Sequence, residues 1–270
     1  MAEFDPGYAR EPFVTLCRDA PGADVYPAAD FRVEWGPIFH RGRLDGSARV
    51  LVIGQDPGPH ESIARRILVG EAGQRVQGFL AKLGVDRSYV MINAFLYSVY
   101  GQSGGERHMN DPAIAGYRNR WIDALMARHW IEAVVAFGHL ADAAFTSWRK
   151  TDTGMKFSKA YEHVPHPTYP ESSGGGSAAM AAMLSAWNDA LTRLSAAIKH
   201  PDEARPLVHY GTSLAPSDDV PIPADDLPAG LPTWMGGLTT WAGREGTSTD
   251  LKRATVVVTI PAGDRVWRTQ

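Results

Sequence analysis

Cysteine is almost absent from this sequence, since Cys17 is the single example in 270 residues. One thiol cannot form a disulfide within the chain, and it cannot by itself hold an iron–sulfur cluster or build a cysteine-type zinc site. Such cysteine usage is typical of a reducing compartment. We therefore expect a cytoplasmic protein.

Long hydrophobic runs are also missing. No run approaches the roughly 18 apolar residues of a membrane-spanning helix, and residues 1–12 have neither the basic nor the apolar region of a secretory signal. Hydrophobic residues make up 44% and charged residues 21% of the chain, which excludes collagen-like, coiled-coil and wholly disordered proteins. We expect no membrane association, and a monomer with one large domain or one domain plus an appendage.

Excess charge of either sign is small, because the formal net charge is −3. Nine of the 30 acidic residues but only six of the 27 basic residues lie in residues 201–270, so residues 1–200 are electrically balanced. Proline and aspartate also become frequent after His200. We therefore predict a main catalytic domain, residues 1–200, and a C-terminal extension, residues 201–270.

The extension contains large apolar side chains, which would promote aggregation if they were all exposed. They include Trp234, Trp241, Trp267 and the strand-like run 254–260. We therefore expect the extension to be rich in strands and loops and to pack on the main domain. Its net negative charge argues against wide contact with phosphates.

Strand-like and helix-like segments alternate through the main domain. Four short apolar runs predict buried strands over 48–54, 89–95, 131–138 and 161–165. Helices are predicted over 61–67, 74–83, 111–129, 139–148 and 178–198. This alternation predicts a three-layer α/β/α sandwich around a central, mainly parallel four-stranded sheet, covered on both faces.

Polar residues follow three of the predicted strands. Gln55, Asp56 and His60 come after the first strand, Asn93 ends the second, and His166 follows the fourth. Individually they have ordinary explanations: an aspartate that shapes a Pro-Gly turn, a satisfied core amide and a loop histidine. Together they place a carboxylate, an amide and an imidazole at the sheet edge where α/β proteins bind ligands.

Several other kinds of site are excluded. The turn after the first strand has no G-x-G-x-x-G pattern and no lysine of a phosphate-binding loop. The sequence contains no G-x-S-x-G nucleophile motif and no H-E-x-x-H metal motif. We therefore expect neither a metal ion nor an organic cofactor.

Five segments resemble motifs of the uracil-DNA glycosylase superfamily, and they occur in the expected order. Residues 52–57, Val-Ile-Gly-Gln-Asp-Pro, are similar to the first motif and closest to its form in the classical uracil-DNA glycosylases. Residues 92–94, Ile-Asn-Ala, and 166–168, His-Pro-Thr, resemble the middle and second motifs. Residues 68–74 resemble a segment of the iron–sulfur bacterial branch, whose cysteines are absent, and residues 135–138 resemble the strand before the phosphate-binding loop.

The resemblance implies a monofunctional glycosylase of base excision repair. Such an enzyme flips uracil out of single- or double-stranded DNA and hydrolyses its N-glycosidic bond, leaving an abasic site. By this resemblance Asp56 stabilises the cationic sugar and orients water, and His166 stabilises the departing uracil anion. Asn93 pairs with uracil O4 and N3–H, and Gln55 contacts the base.

The resemblance also assigns positions that bind the base or the DNA. Gly58 lies where the classical enzymes carry a tyrosine that excludes thymine, and Leu68 lies where the iron–sulfur branch stacks a phenylalanine on uracil. The expected DNA contacts are Pro57, Pro59, His60, Gly138, His139, Thr168 and Tyr169. Tyr169 follows the histidine motif, where the family inserts a wedge into the base stack.

Two other functions remain open from the sequence. One is a protein that binds uracil or damaged DNA without cleaving it, and the other is a glycosylase that also removes further deaminated bases. A nucleoside hydrolase is disfavoured, because those enzymes usually need a multi-aspartate metal site. The sequence leaves open the subfamily, the sensitivity to inhibitors, and which aromatic side chain stacks on uracil.

Overall fold

A computed structural model of the protein describes residues 7–100 and 104–267. Its central sheet has the strand order β1-β3-β2-β4-β5. The strands are β1 (His40–Gly42), β2 (Val50–Gly54), β3 (Tyr89–Asn93), β4 (Ala133–Phe137) and β5 (Ala160–Val164). Strands β2 to β5 are parallel to their neighbours, whereas β1 pairs antiparallel with β3. The mainly parallel α/β fold is confirmed, but the predicted count of four strands is wrong.

The described helices surround this sheet. They are α1 (Phe13–Arg18), α2 (Pro59–Ala64), α3 (Glu71–Lys82), α4 (Gly104–His108), α5 (Pro112–Arg128), α6 (His139–Trp148), α7 (Tyr169–Ser173), α8 (Gly176–Ala197) and α9 (Thr249–Ala254). Each long helix predicted from the sequence is present, with ends that differ by a few residues.

Alternate residues of the strands enter two separate cores. In β2, Leu51 and Ile53 pack with side chains of α5 and α6 on one face. Val50 and Val52 pack with side chains of α3 and α8 on the other face. This period of two is inherent in a pleated strand, and it produces the three-layer sandwich.

Strand β1 was missed because its sequence, His-Arg-Gly, carries no apolar pattern. All three of its residues are nevertheless buried. The Arg41 guanidinium lies 3.0 Å from the Asp226 carboxylate, and Asp226 also accepts a hydrogen bond from Tyr89 at 2.5 Å. A buried arginine is tolerated there because a carboxylate from the far end of the chain neutralises it.

The described part of the extension packs against residues of the main domain. Trp241 and Leu227 lie in an apolar cluster with Ala64 of α2 and with Val69. The strand predicted over 254–260 is much shorter than expected. Only β7 (Val257–Val258) forms, paired antiparallel with β6 (Ala242–Gly243). The division of the chain at residue 200 stays a prediction.

Candidate active site at the carboxyl edge of the sheet

Four of the predicted site residues follow the carboxyl ends of the parallel strands. Gln55 and Asp56 come directly after β2, Asn93 ends β3, and His166 lies two residues beyond β5. Because Gly54 of β2 is in register with Asn93, the two strands end side by side. The sheet therefore brings these residues to one edge, as parallel topology requires.

Asn93 has a buried polar atom without a partner. Its Oδ1 makes no hydrogen bond to any residue that the structure describes. A Cβ atom on Gly54 would lie 2.4 Å from this oxygen, so only glycine leaves room for it. An unpaired buried oxygen costs about 1–3 kcal/mol. It is therefore a buried acceptor that no described residue satisfies.

Leu68 lies near Gly54, as Asn93 does. Its Cδ1 would be 3.5 Å from a Cβ on Gly54, and its backbone has the left-handed φ of 53°. A Cβ on Gly73 would come within 1.5 Å of the Leu68 carbonyl oxygen, so the glycine lets this turn form. Strained backbone of this kind costs about 1–3 kcal/mol and is frequent at ligand sites.

Asp56 is a partly buried carboxylate with an altered acidity. Its Oδ2 accepts a hydrogen bond from the Val99 N–H at 2.9 Å. Burial raises the pKa of Asp56 to about 6, against the opposing effects of the Val99 hydrogen bond and the Arg32 charge. The nearby Glu61 carboxylate acts in the same direction as burial. Asp56 is therefore ionised at neutral pH and becomes protonated in mild acid.

Glu61 connects the loop after β2 to the turn that holds Leu68. Its Oε2 accepts from the Gly58 N–H at 2.9 Å, and its Oε1 accepts from the Val69 N–H at 2.8 Å. A Cβ on Gly58 would lie 2.9 Å from Oε2, so a larger side chain there would displace this carboxylate. Gly58 thus leaves room for the Glu61 carboxylate.

His166 is held as a neutral imidazole. Its Nδ1 accepts a hydrogen bond from the Thr168 N–H at 3.3 Å and lies 3.1 Å from the Thr168 hydroxyl. Burial, together with the charge of Arg75, lowers the pKa of His166 to about 4. Since Nδ1 is an acceptor, the proton of the neutral ring lies on Nε2, which is thereby a donor.

Arg75 of α3 fixes the loop that carries His166. Its Nη1 donates to the Pro167 carbonyl oxygen at 2.6 Å, and its Nη2 donates to Glu171 of α7 at 2.8 Å. Arg75 is itself buried. One guanidinium therefore joins α3, the histidine loop and α7.

A cleft of about 900 Å³ opens beside these residues. It is lined by Gln55, Gly138, His139, His163, Pro165, His166, Thr168, Tyr169, Ser172, Ala182 and Met183. Gly138, with φ of 90°, allows the approach of two neighbours, because its Cβ would lie 3.0 Å from Gln55 Cδ and 3.2 Å from His166 Cβ. Asp56 and Asn93 do not line this cleft.

The residues expected to contact DNA have different surroundings. Tyr169 is 45% exposed at the start of α7, and His139 is exposed at the start of α6. Pro57 is buried, and Pro59 is the first residue of α2.

His60 does not face the cleft. It is buried, and its Nε2 accepts hydrogen bonds from the Trp241 and Ala242 N–H groups, each at 3.2 Å. Its ring also meets the edge of the Trp241 indole, with the ring centroids 4.8 Å apart. In this structure His60 holds the extension against α2.

Residues 7–100 and 104–267 contain no group of three or more His, Cys, Asp or Glu side chains arranged to hold a metal ion. Within the same ranges, no helix is long and apolar enough to cross a membrane.

The supporting residues were not found from the sequence. The spacing Gly58-x-x-Glu61 is that of a helix-capping pair and could have indicated the glutamate. The contacts that link Arg32, Arg75 and Val99 to Ser98, Pro167 and Asp56 join residues at least 43 positions apart, and no local pattern marks them.

Comparison with known proteins places these residues in a family. A family model of the uracil-DNA glycosylase superfamily matches residues 41–191, which is more than half of the chain. The matched segment contains strands β2 to β5 together with Asp56, Asn93 and His166. No curated protein matches the chain. The chain therefore belongs to the uracil-DNA glycosylase superfamily.

Proposed function

We propose that this glycosylase removes uracil from DNA by hydrolysing the N-glycosidic bond, and leaves an abasic site. The observation that carries the proposal is the unpartnered Oδ1 of Asn93 at the same sheet edge as Asp56 and His166. A buried acceptor needs a donor, and the uracil imide N3–H is one. Cytosine has a bare nitrogen at that position, which would leave the acceptor unpaired.

The neutral His166 supports the departure of uracil. Breaking the glycosidic bond leaves negative charge on the base, and an Nε2–H donor facing O2 stabilises that charge. The lowered pKa of His166 keeps this donor uncharged at neutral pH.

Asp56 supports the other half of the reaction. Its carboxylate is ionised above about pH 6. A negative charge next to the sugar stabilises the positive charge that develops on C1′, and it also orients the attacking water. Neither role requires a metal ion.

The experiment is a panel of single- and double-stranded oligonucleotides bearing uracil, thymine, hypoxanthine or xanthine. The protein is incubated with each in EDTA, and abasic sites are converted to strand breaks with alkali. We expect breaks at uracil on both kinds of strand. Breaks only after adding zinc or magnesium would refute the metal-free reaction, and binding without any breaks would show a binding protein.

A further inference from the structure

Arg32 lies on one side of the loop that carries Asp56. Its Nη1 donates to the Ser98 hydroxyl at 3.1 Å and to the Val99 carbonyl oxygen. Val99 in turn donates its N–H to Asp56. Arg32 is therefore linked to the Asp56 carboxylate through the backbone of Val99. The Arg32 Nε is buried without a hydrogen-bond partner among the described residues.

Arg244, from the extension, lies on the other side of the same loop. Its Nη2 is 3.5 Å from the Ser62 hydroxyl, which donates to the Gly58 carbonyl oxygen at 3.2 Å. Its guanidinium lies over the Trp35 ring, 5.4 Å from the centroid. Arg244 is thus connected through one serine to the Gln-Asp-Pro-Gly turn.

The extension is firmly attached at this place. The Trp35 indole N–H donates to the Arg253 carbonyl oxygen at 2.9 Å. The Arg253 guanidinium bonds both oxygens of Glu34, at 2.5 and 2.7 Å. These contacts fix the part of the extension that packs beside Arg244.

Arg32 and Arg244 differ from the neighbouring Arg253 because they lack an ion-pair partner among the described residues. Arg253 has the Glu34 carboxylate, whereas neither Arg32 nor Arg244 has a carboxylate within 4.0 Å in the part of the chain that the structure describes. Burial is the main cause that lowers the pKa of both, and their mutual repulsion lowers that of Arg244 further. Asp56 and Glu34 raise the pKa of Arg32 from a longer distance, and Glu34 does the same for Arg244. Neither guanidinium is held in an ion pair of its own with a described residue, so each can also pair with an anion from outside the protein.

We propose that Arg32 and Arg244 bind a backbone phosphate of the DNA, close to the target nucleotide, and that the C-terminal extension is thereby part of the DNA-binding surface. Guanidinium groups suit phosphate because they donate in pairs. The proposal rests on the DNA substrate proposed above. It also departs from the expectation, drawn from net charge, that the extension avoids phosphates.

The distribution of charge in the extension explains that departure. Three of its acidic side chains contact the main domain: Asp226 neutralises Arg41, Asp218 lies 2.8 Å from Lys82, and Asp202 accepts from the Ser88 N–H. The net charge of the extension includes these carboxylates, although their contacts with the main domain already satisfy them.

The test measures DNA binding as a function of salt, with a duplex that contains no uracil so that no cleavage intervenes. Wild type, Arg244→Gln, Arg244→Lys and Arg265→Gln are titrated by fluorescence anisotropy between about 50 and 250 mM salt. Arg265→Gln is the matched control, since it removes the same charge from the extension and its hydrogen bond goes to the Ile260 carbonyl oxygen. Melting temperatures are recorded for all four proteins.

We expect Arg244→Gln to weaken binding roughly 3- to 10-fold and to reduce the slope of log K against log salt by about one. Arg244→Lys should restore most of the slope, and Arg265→Gln should match wild type. An unchanged slope in Arg244→Gln, an equal change in Arg265→Gln, no restoration by lysine in a folded protein, or no DNA binding by wild type would each overturn the proposal. A changed slope in a protein that excises no uracil would support the phosphate site and refute the excision activity.

Discussion

The acidity of Asp56 makes its role testable at the level of one residue. Burial raises the pKa of this carboxyl to about 6, and the ionised form is the one that can stabilise a cationic sugar. The rate of uracil excision should therefore rise as pH increases through about 6 and then level off. Single-turnover rates at a series of pH values measure this directly. A rate that is flat between about pH 5 and 8 would contradict the assignment.

The raised pKa of Asp56 also predicts an effect on the stability of the fold. The native pKa of Asp56 lies above the ordinary value of about 3.9, so ionisation disfavours the folded state. The cost is complete above the native pKa and disappears once pH falls below the unfolded value. Asp56→Asn should raise the free energy of unfolding at about pH 8 by on the order of 1–3 kcal/mol, with no gain at about pH 3.5. Denaturant titrations at the two pH values check this, with Asp45→Asn in a surface turn as the control.

The sequence predicted residues that directly follow apolar strands and missed those that support them. Asp56 and Asn93 were predicted as site residues because the turn or strand end next to them is visible in the sequence. Arg75 was not found, because its partner Pro167 lies 92 residues away. The local sequence shows only that Arg75 lies on a helix. Its role depends on the histidine loop, which the fold brings next to α3.

At the level of elements, one contact between α3 and the histidine loop should control the chemistry of His166. Replacing Arg75 with Met removes a positive charge near the imidazole and leaves Glu171 without its partner. The pKa of His166 should therefore rise from about 4, and excision should slow. NMR titration of the ring together with single-turnover kinetics would measure both.

The control for this prediction removes a helix cap instead. Asp111 accepts hydrogen bonds from the Ala113 and Ile114 N–H groups at the start of α5. Asp111→Ala should lower stability by about 1 kcal/mol without moving the titration of His166. If the two variants shift the titration equally, Arg75 has a structural role alone.

Elements with a clear pattern were predicted, and elements defined by distant partners were not. Strands β2 and β4 are apolar runs that hydrophobicity alone identifies. Strand β1 contains a buried arginine, so its burial depends on Asp226 and could not be inferred locally. The opposite error occurred near the end of the chain, where the β-branched run 254–260 indicated a long strand. Its only strand pairing there is with the two residues of β6.

At the level of the whole molecule, Asp226 is the main polar attachment of the extension to the sheet. Its carboxylate is fully buried between Arg41 and Arg43, and it accepts from Tyr89. Asp226→Asn leaves Arg41 buried without a counter-charge, which should lower the free energy of unfolding by about 3–5 kcal/mol. Equilibrium unfolding in urea measures the change.

The neighbouring aspartate provides the matched control. Asp225 lies 3.5 Å from the exposed Arg87, so Asp225→Asn should cost less than about 1 kcal/mol. Equal losses in the two variants would show that the buried network does not hold the extension.

Truncation after His200 tests the extension as a whole. The shortened chain would expose Ala64 and Val69 and would leave Arg41 unpaired. Its melting temperature should fall well below that of the full chain. A truncated protein that is as stable and as active as the full chain would show that residues 201–270 are dispensable for the fold.

The most direct test of the proposed site compares uracil excision with DNA binding in active-site variants. Asp56→Asn and His166→Ala are assayed in EDTA on one uracil-containing oligonucleotide, with Asp45→Asn as the control. We expect the two active-site variants to cleave about 10²- to 10⁴-fold more slowly than wild type while they bind the oligonucleotide as well as wild type does. Wild-type rates in both variants would contradict the assignment of Asp56 and His166 as the residues that carry the reaction.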